Sequence, residues 1–281
     1  MRVFDKTSAP AHLGAVPSAD GSTSFRVWAP FARTVSVDML LGPGGRREPL
    51  TPSGGNYFEG KVDGVGDGDL YRYVIDGSST FPDPASQSQP EGVHGPSRIV
   101  DHASFRWSDD GWRGRALEEY IIYELHVGTF TEQGTFEAIV GCLDYFKDVG
   151  INAIELMPVS QFPGSRNWGY DGAFPFAPHN TYGGPRGLKT LVNACHEQGF
   201  AVVLDVVYNH LGPEGNYLAN FGPYFTDRHR TPWGEALNFD GPFSDEVRNY
   251  FIRNALDWFV RYHVDALRLD AIHGIFDFSA R

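Results

Sequence analysis

Val35, Val37 and Met39 alternate with Ser36 and Asp38, the period-2 rhythm of a strand with one face turned to a core. Runs of similar character at residues 25–30 and 70–75 are punctuated by Gly and Pro, and Asp76-Gly77 is a turn signal. These elements predict a small β-sandwich over residues 1–105. A stretch rich in Pro, Gly and polar residues, 81–97, follows, and the boundary is placed between Asp101 and Glu118.

Beyond residue 120 the rhythm changes. Four mostly apolar runs, 120–127, 151–157, 200–207 and 264–271, read as parallel strands covered on both faces. Between them apolar residues return at helical spacing. Phe136, Ile139, Val140, Leu143, Phe146 and Val149 predict one helix ending at Gly150. Leu188, Leu191, Val192 and Cys195 predict a second over 188–198, stopped by Gly199. Ser244 is the expected N-cap of a third, with Asp245 and Glu246 in its first turn. That helix is expected to bury Val247, Tyr250, Phe251, Ala255, Trp258, Phe259 and Tyr262. Four successive β–α repeats predict an α/β unit over residues 106–281, the first half of a (β/α)8 barrel that ends after its fourth strand. A doubly wound sheet is the alternative. The long segments after the second and third strands favour the barrel, which builds its sites from loops at the strand C-terminal ends.

The chain's 281 residues, 41% of them hydrophobic, suit one barrel or two domains. Aromatic residues make up 14%, and the 33 glycines supply turns and close backbone approaches, features common where sugars bind. A formal charge of −12 argues against a nucleic-acid or anionic-membrane partner, since both require a basic surface. Cys142 and Cys195 have neither metal-ligand nor redox spacing, and two isolated thiols fit a reducing cytoplasm. Met1-Arg2-Val3-Phe4-Asp5 has no signal-peptide core, and no later apolar run is long enough to span a membrane. The expectation is a soluble, cytoplasmic, acidic protein; its oligomeric state is not legible.

Leu267-Arg268-Leu269-Asp270-Ala271 is the segment with the most chemistry. Arg268 and Asp270 share one strand face, and a buried strand does not carry such a pair without partners. Asp205, Asn209 and His210 close the third strand, and Asn167-Trp168-Gly169-Tyr170-Asp171 occupies the loop after the second. A single strand-end Asp is more often a structural cap or an ion-pair partner. Three loops delivering carboxylates, a His, an Arg and a ring to one end read instead as a site. The chemistry that suits them is glycosidic cleavage, in which one carboxylate attacks the anomeric carbon and a second carboxylic acid protonates the leaving oxygen. An Arg beside the nucleophile keeps it ionised.

On these residues the chain resembles the α-amylase superfamily. Asp205-Val206-Val207-Tyr208-Asn209-His210 matches its first conserved region, Leu267 to Ala271 its second, and Tyr170-Asp171 the pair that grips glucose at the cleavage subsite. The resemblance makes Asp270 the nucleophile and Arg268 its orienter. It makes Tyr170, Asp171 and His210 ligands of that glucose, with Asp205 and Asn209 supporting the site. Asn209 stands where many secreted amylases bind calcium; one ligand is too little, and no metal or organic cofactor is expected.

The resemblance narrows to the malto-oligosyltrehalose trehalohydrolases on Pro82-Asp83-Pro84-Ala85-Ser86, Gly212-Pro213-Glu214-Gly215-Asn216-Tyr217 and Asp270-Ala271-Ile272-His273-Gly274-Ile275. Gln87-Ser88 departs from that family's usual Arg-Phe without touching the chemistry. The implied reaction is retaining hydrolysis of the α-1,4 bond beside the terminal trehalose of maltooligosyltrehalose, an α-1,4-glucan substrate. In this superfamily the general acid lies at the end of the fifth strand. The chain is therefore expected to be an inactive N-terminal part lacking that acid, with Glu214 and Glu235 poor substitutes. Two alternatives stand beside it: a branching enzyme or other α-glucan transglycosylase, and a non-catalytic glucan-binding fragment with Trp28, Trp107 or Trp112 as platform. Those tryptophans are more often packing residues.

Overall fold

The computed structural model describes residues 11–41 and 45–279. Met1 to Asp5, where a signal peptide was sought, lie outside the described residues. Among the described residues no helix is long and apolar enough to cross a membrane.

The first nine strands form two facing antiparallel sheets. One has the order β1 (Gly14–Pro17), β2 (Ser22–Trp28), β6 (Tyr57–Asp63), β5 (Thr51–Ser53). The other runs β4 (Arg46–Pro49), β3 (Val35–Met39), β7 (Leu70–Ile75), β8 (Ser79–Phe81), with β9 (Ser97–Arg98) also paired to β7. Val35, Val37 and Met39 are buried while Ser36 and Asp38 are half-exposed, as their alternation requires. Asp76 and Gly77 both take positive φ, 49° and 77°, the backbone that a tight hairpin needs.

Residues 81–97 depart from the appearance of a polar linker. Asp83, Ser86, Gln89 and Ser97 are fully buried. Asp83 accepts from Tyr71 at 2.6 Å and the Ala85 N–H at 2.8 Å, and its own N–H donates to Ser97 Oγ at 3.0 Å. Burial pushes its pKa up to about 6, against these hydrogen bonds. Asp83, Ser86 and Ser97 are buried with hydrogen-bond partners inside or beside the segment, a pairing that composition does not reveal. The segment also mortars the two halves together. Tyr250 donates to the Pro84 carbonyl at 2.7 Å and Asn180 to that of Pro90 at 3.1 Å; outside the segment, Trp28 on β2 packs edge-on against Tyr224 at 5.2 Å.

The second half carries β10 (Ile122–Leu125), α1 (Val127–Phe130), α2 (Phe136–Val140), α3 (Leu143–Asp148), β11 (Ala153–Leu156), β12 (Ser160–Gln161) and β13 (Phe174–Pro178). There follow α4 (Gly184–Gln198), β14 (Ala201–Val206), β15 (Phe225–Thr231), β16 (Gly234–Leu237), α5 (Ser244–Tyr262) and β17 (Ala266–Leu269). β10, β11, β14 and β17 pair in parallel and in chain order. A doubly wound sheet reverses its strand order at a switch point; this one does not, which is the order of a partial barrel. Ile154, Leu156, Val202 and Leu204 enter the core, whereas Glu124, Glu155, Asp205 and Arg268 belong to the opposite, interior face.

Several local expectations need correction. The helix expected over 136–149 is broken at Gly141 and Cys142, where glycine's poor helix propensity coincides with the end of α2. Val149 is consequently exposed. α4 starts four residues before Leu188, with Pro185 in its first turn. Ser244 is not a cap: Phe243 precedes the helix with φ 66°, and Ser244 Oγ accepts from Arg248 instead. Ala255 is half-buried and Phe259 exposed.

Residues 107–112 strap the sheet's underside. The buried His196 ring bonds Asp109 Oδ2 at 2.8 Å and Asp265 Oδ2 at 3.0 Å, with Trp112 stacked on it. Burial works against its proton, but the two carboxylates prevail and its pKa is raised. A raised folded-state value contributes stability fully below the unfolded histidine value, about 6.5, and loses it as pH rises through the folded one. His196→Gln should therefore cost roughly 2 kcal/mol at pH 6 and distinctly less at pH 9, read from urea midpoints across that range. A cost independent of pH would show that the imidazolium is not what binds the strap.

Candidate active site

The parallel register sets Arg268 beside Asp205, and the Asp270 N–H extends the ladder by donating to the Val206 carbonyl at 3.0 Å. Arg268 Nη1 then reaches both acids: Asp205 at 2.9 and 3.1 Å and Asp270 Oδ1 at 2.8 Å. The Asp205 side chain is fully buried and that of Asp270 is 17% exposed, so one carboxylate anchors and the other faces the opening. Burial pushes Asp205 up to about 6, although Arg268 and Tyr170 oppose this. Ala271 follows at φ 39°, a strained conformation for a side-chain-bearing residue that turns the chain directly after Asp270.

Two loops complete the site. Tyr170, between β12 and β13, donates from its hydroxyl to Asp205 Oδ2 at 2.9 Å. Asp171 accepts from Asn167 at 2.8 Å. After β14, Asn209 donates to the Asp270 carbonyl at 2.8 Å and to its Oδ2 at 3.2 Å, while its own oxygen contacts His210 Nδ1. His210 is buried and stacks on Trp233 at 5.2 Å. Burial lowers its pKa, with Asp171 and Asp270 pulling the other way. Glycines make the approach of the two loops possible. A Cβ at Gly169, whose φ is 96°, would sit 2.0 Å from the Pro158 carbonyl oxygen, and one at Gly212 would sit 2.1 Å from that of Asp171.

The structure thus gathers Tyr170, Asp205, Asn209, Arg268 and Asp270 into one hydrogen-bonded network, with Asp171 and His210 on the same loops. It adds two acids that the sequence reading overlooked. Glu124 and Glu155 are cross-strand neighbours, and their carboxylates and that of Asp205 lie within 4.8 Å of one another. The signal was present in both strands, an acid within an apolar run, the same argument that singled out Arg268. These three are a grouping with metal-ligand spacing among the described residues, but both Asp205 oxygens are already taken by Arg268 and Tyr170. Trp168 was also passed over as a side chain; it is 71% exposed on an open cleft of about 820 Å³ shared with His126, Arg166, Tyr170 and Asp171. Glu214 lies 3.6 Å from His94, and Glu235 is exposed on β16. Trp28 is buried at the junction, and Trp107 and Trp112 stack on His263 and His196, so all three pack rather than offer a free platform.

Residues 81–230 match the family described as "Alpha amylase, catalytic domain", and residues 12–91 match "Carbohydrate-binding module 48 (Isoamylase N-terminal domain)". The chain belongs to the alpha-amylase family. It is similar to the malto-oligosyltrehalose trehalohydrolase of Saccharolobus solfataricus, with 49% identity over 93% of this chain and 46% of that protein. The enzyme of the same name from Arthrobacter ramosus is 48% identical over 91% of this chain and 44% of that one. A Salmonella typhimurium protein described as an alpha amylase superposes with a TM-score of 0.89 at 42% identity, over 96% of this chain and 45% of that chain. The chain therefore spans a little under half the length of the curated relatives it matches.

Gly212→Ala should force the Asp171 backbone away and cost about 2–3 kcal/mol in urea unfolding. Gly66→Ala, whose new methyl meets nothing within 4 Å, serves as the control and should leave stability nearly unchanged.

Proposed function

We propose that this chain is the amino-terminal part of a glycoside hydrolase that releases trehalose from maltooligosyltrehalose. The observation that carries the reading is the Arg268 guanidinium bridging a buried and an accessible carboxylate, at 2.9 and 2.8 Å. The Arg268 guanidinium and the Asn209 amide hold the Asp270 carboxylate from two sides. Asp270 attacks the anomeric carbon and forms a glycosyl-enzyme, which water then hydrolyses with overall retention. Tyr170, Asp171 and His210 hold the glucose unit being cleaved, and Asp205 anchors Arg268 from behind.

The attack needs a general acid about 5–5.5 Å from Asp270. In this reading it comes from the part of the relatives' length that this chain does not span, and the chain alone is inactive, since losing such proton transfer costs on the order of 10²–10⁴ in rate. The exposed side chains of Ile122 on β10 and Leu269 on β17, the two edge strands, fit a sheet that further barrel strands extend. The free cysteines suit a cytoplasmic location. The sandwich over residues 1–105 then serves as a carbohydrate-binding-type module.

Asp270→Asn in the full-length enzyme should lower turnover of maltooligosyltrehalose by on the order of 10⁴-fold or more without a matching loss of stability. A fluorinated glucoside inactivator should label the peptide containing Asp270, detected by mass spectrometry. Label on another carboxylate would reassign the nucleophile. Free trehalose as the product supports the hydrolase; new α-1,6 branches would identify a transglycosylase instead.

A further inference from the structure

Lys189 is buried on α4, 2% exposed, yet makes no ion pair among the described residues. Its ammonium donates to the His102 carbonyl at 3.0 Å and lies over the rings of Phe105 and Tyr262, at 5.5 and 5.9 Å. An ammonium has three donors, and burying one against a single carbonyl is costly. Burial and the neighbouring Arg261 hold its pKa down to about 8, while Asp101 and Asp67 act in the opposite sense.

Lys189 lines a cavity of about 520 Å³ between the sandwich and the outer face of α4. The same wall carries Arg98, Arg106 and Arg186, in a chain of formal charge −12. Arg106 and Arg186 are exposed and have no hydrogen-bond or ion-pair partner among the described residues. Asp67 and Asp101 also line it. Each uses Oδ1 to accept a backbone N–H, from Asp101 at 2.8 Å and Ala103 at 2.9 Å, and leaves Oδ2 uncommitted. Four cations against two carboxylates leave the wall net positive. A neutral glucan would leave the Lys189 charge uncompensated, whereas a tetrahedral dianion presents three oxygens to separate donors.

We infer that this cavity binds a phosphate dianion, either free or as the ester of a sugar, through Lys189, Arg106 and Arg186. A sugar ester would in addition place hydroxyls against Asp67 and Asp101. None of these residues belongs to the Arg268 network, so the site stands or falls independently of the hydrolase reading.

Calorimetric titration of the intact protein in phosphate-free, low-salt buffer tests this, with glucose 6-phosphate, inorganic phosphate and glucose as the three probes. Saturable binding of one or both phosphates is expected, with none of glucose, and should weaken as salt screens the cavity. Tighter binding of the ester identifies a sugar phosphate, and equal binding identifies free phosphate. Arg106→Gln and Arg186→Gln should each weaken it roughly tenfold, and Lys189→Met should abolish it. Should Lys189→Met fail to fold, the two exposed arginines carry the test alone. No saturable phosphate binding, or binding unmoved in the double arginine variant, overturns the assignment.

Discussion

A guanidinium held between two carboxylates organises the end of this sheet. Asp205 has no exposed side-chain surface, and an ionised carboxylate in that position needs compensation that its strand cannot supply. Arg268 provides it from the next strand, and can do so because β14 and β17 are hydrogen-bonded neighbours with those two residues in register. The same nitrogen then reaches forward to Asp270, so the buried pair fixes the direction in which the accessible acid points. Tyr170 closes the arrangement by giving Asp205 a second donor from a separate loop.

The loops are braced from the sandwich side. Gly222 and Gly215, after β14, lie against Trp28 and Val93, where an added Cβ would come within 2.7 and 2.3 Å of those side chains. His94 bonds the Tyr217 hydroxyl at 2.8 Å. The polar segment after β8 therefore shapes the loop that carries Asn209 and His210, which gives a mechanical reason for the two units to share one continuous core. Displacing the sandwich would loosen the loop that carries Asn209 and His210 without touching either side chain.

The electrostatics divide labour between similar groups. Asp205 is pushed up by burial, whereas Asp270 stays near solvent with Arg268 and Asn209 as partners. Glu155 is likewise raised by burial and then by Glu124, with Arg268 as its opposing influence. One arginine thus serves a crowd of carboxylates on the barrel's inner face, and its charge is the resource they compete for.

Much of this was legible in the amino-acid order. Alternation revealed the sandwich strands, apolar runs the four parallel strands, and the Arg268–Asp270 spacing a shared strand face, because backbone periodicity and the cost of burying charge act locally. Glu124 and Glu155 obeyed the same rule and were missed only because each stands alone in its strand. The break at Gly141 and the displaced cap at Ser244 were invisible because competing local preferences are settled by packing. What tertiary structure alone decided is which residues meet: Tyr170 with Asp205, Asp83 with Tyr71, Lys189 with its open cavity. Contacts between residues far apart in the chain are set by strand order and register, and no local pattern encodes those.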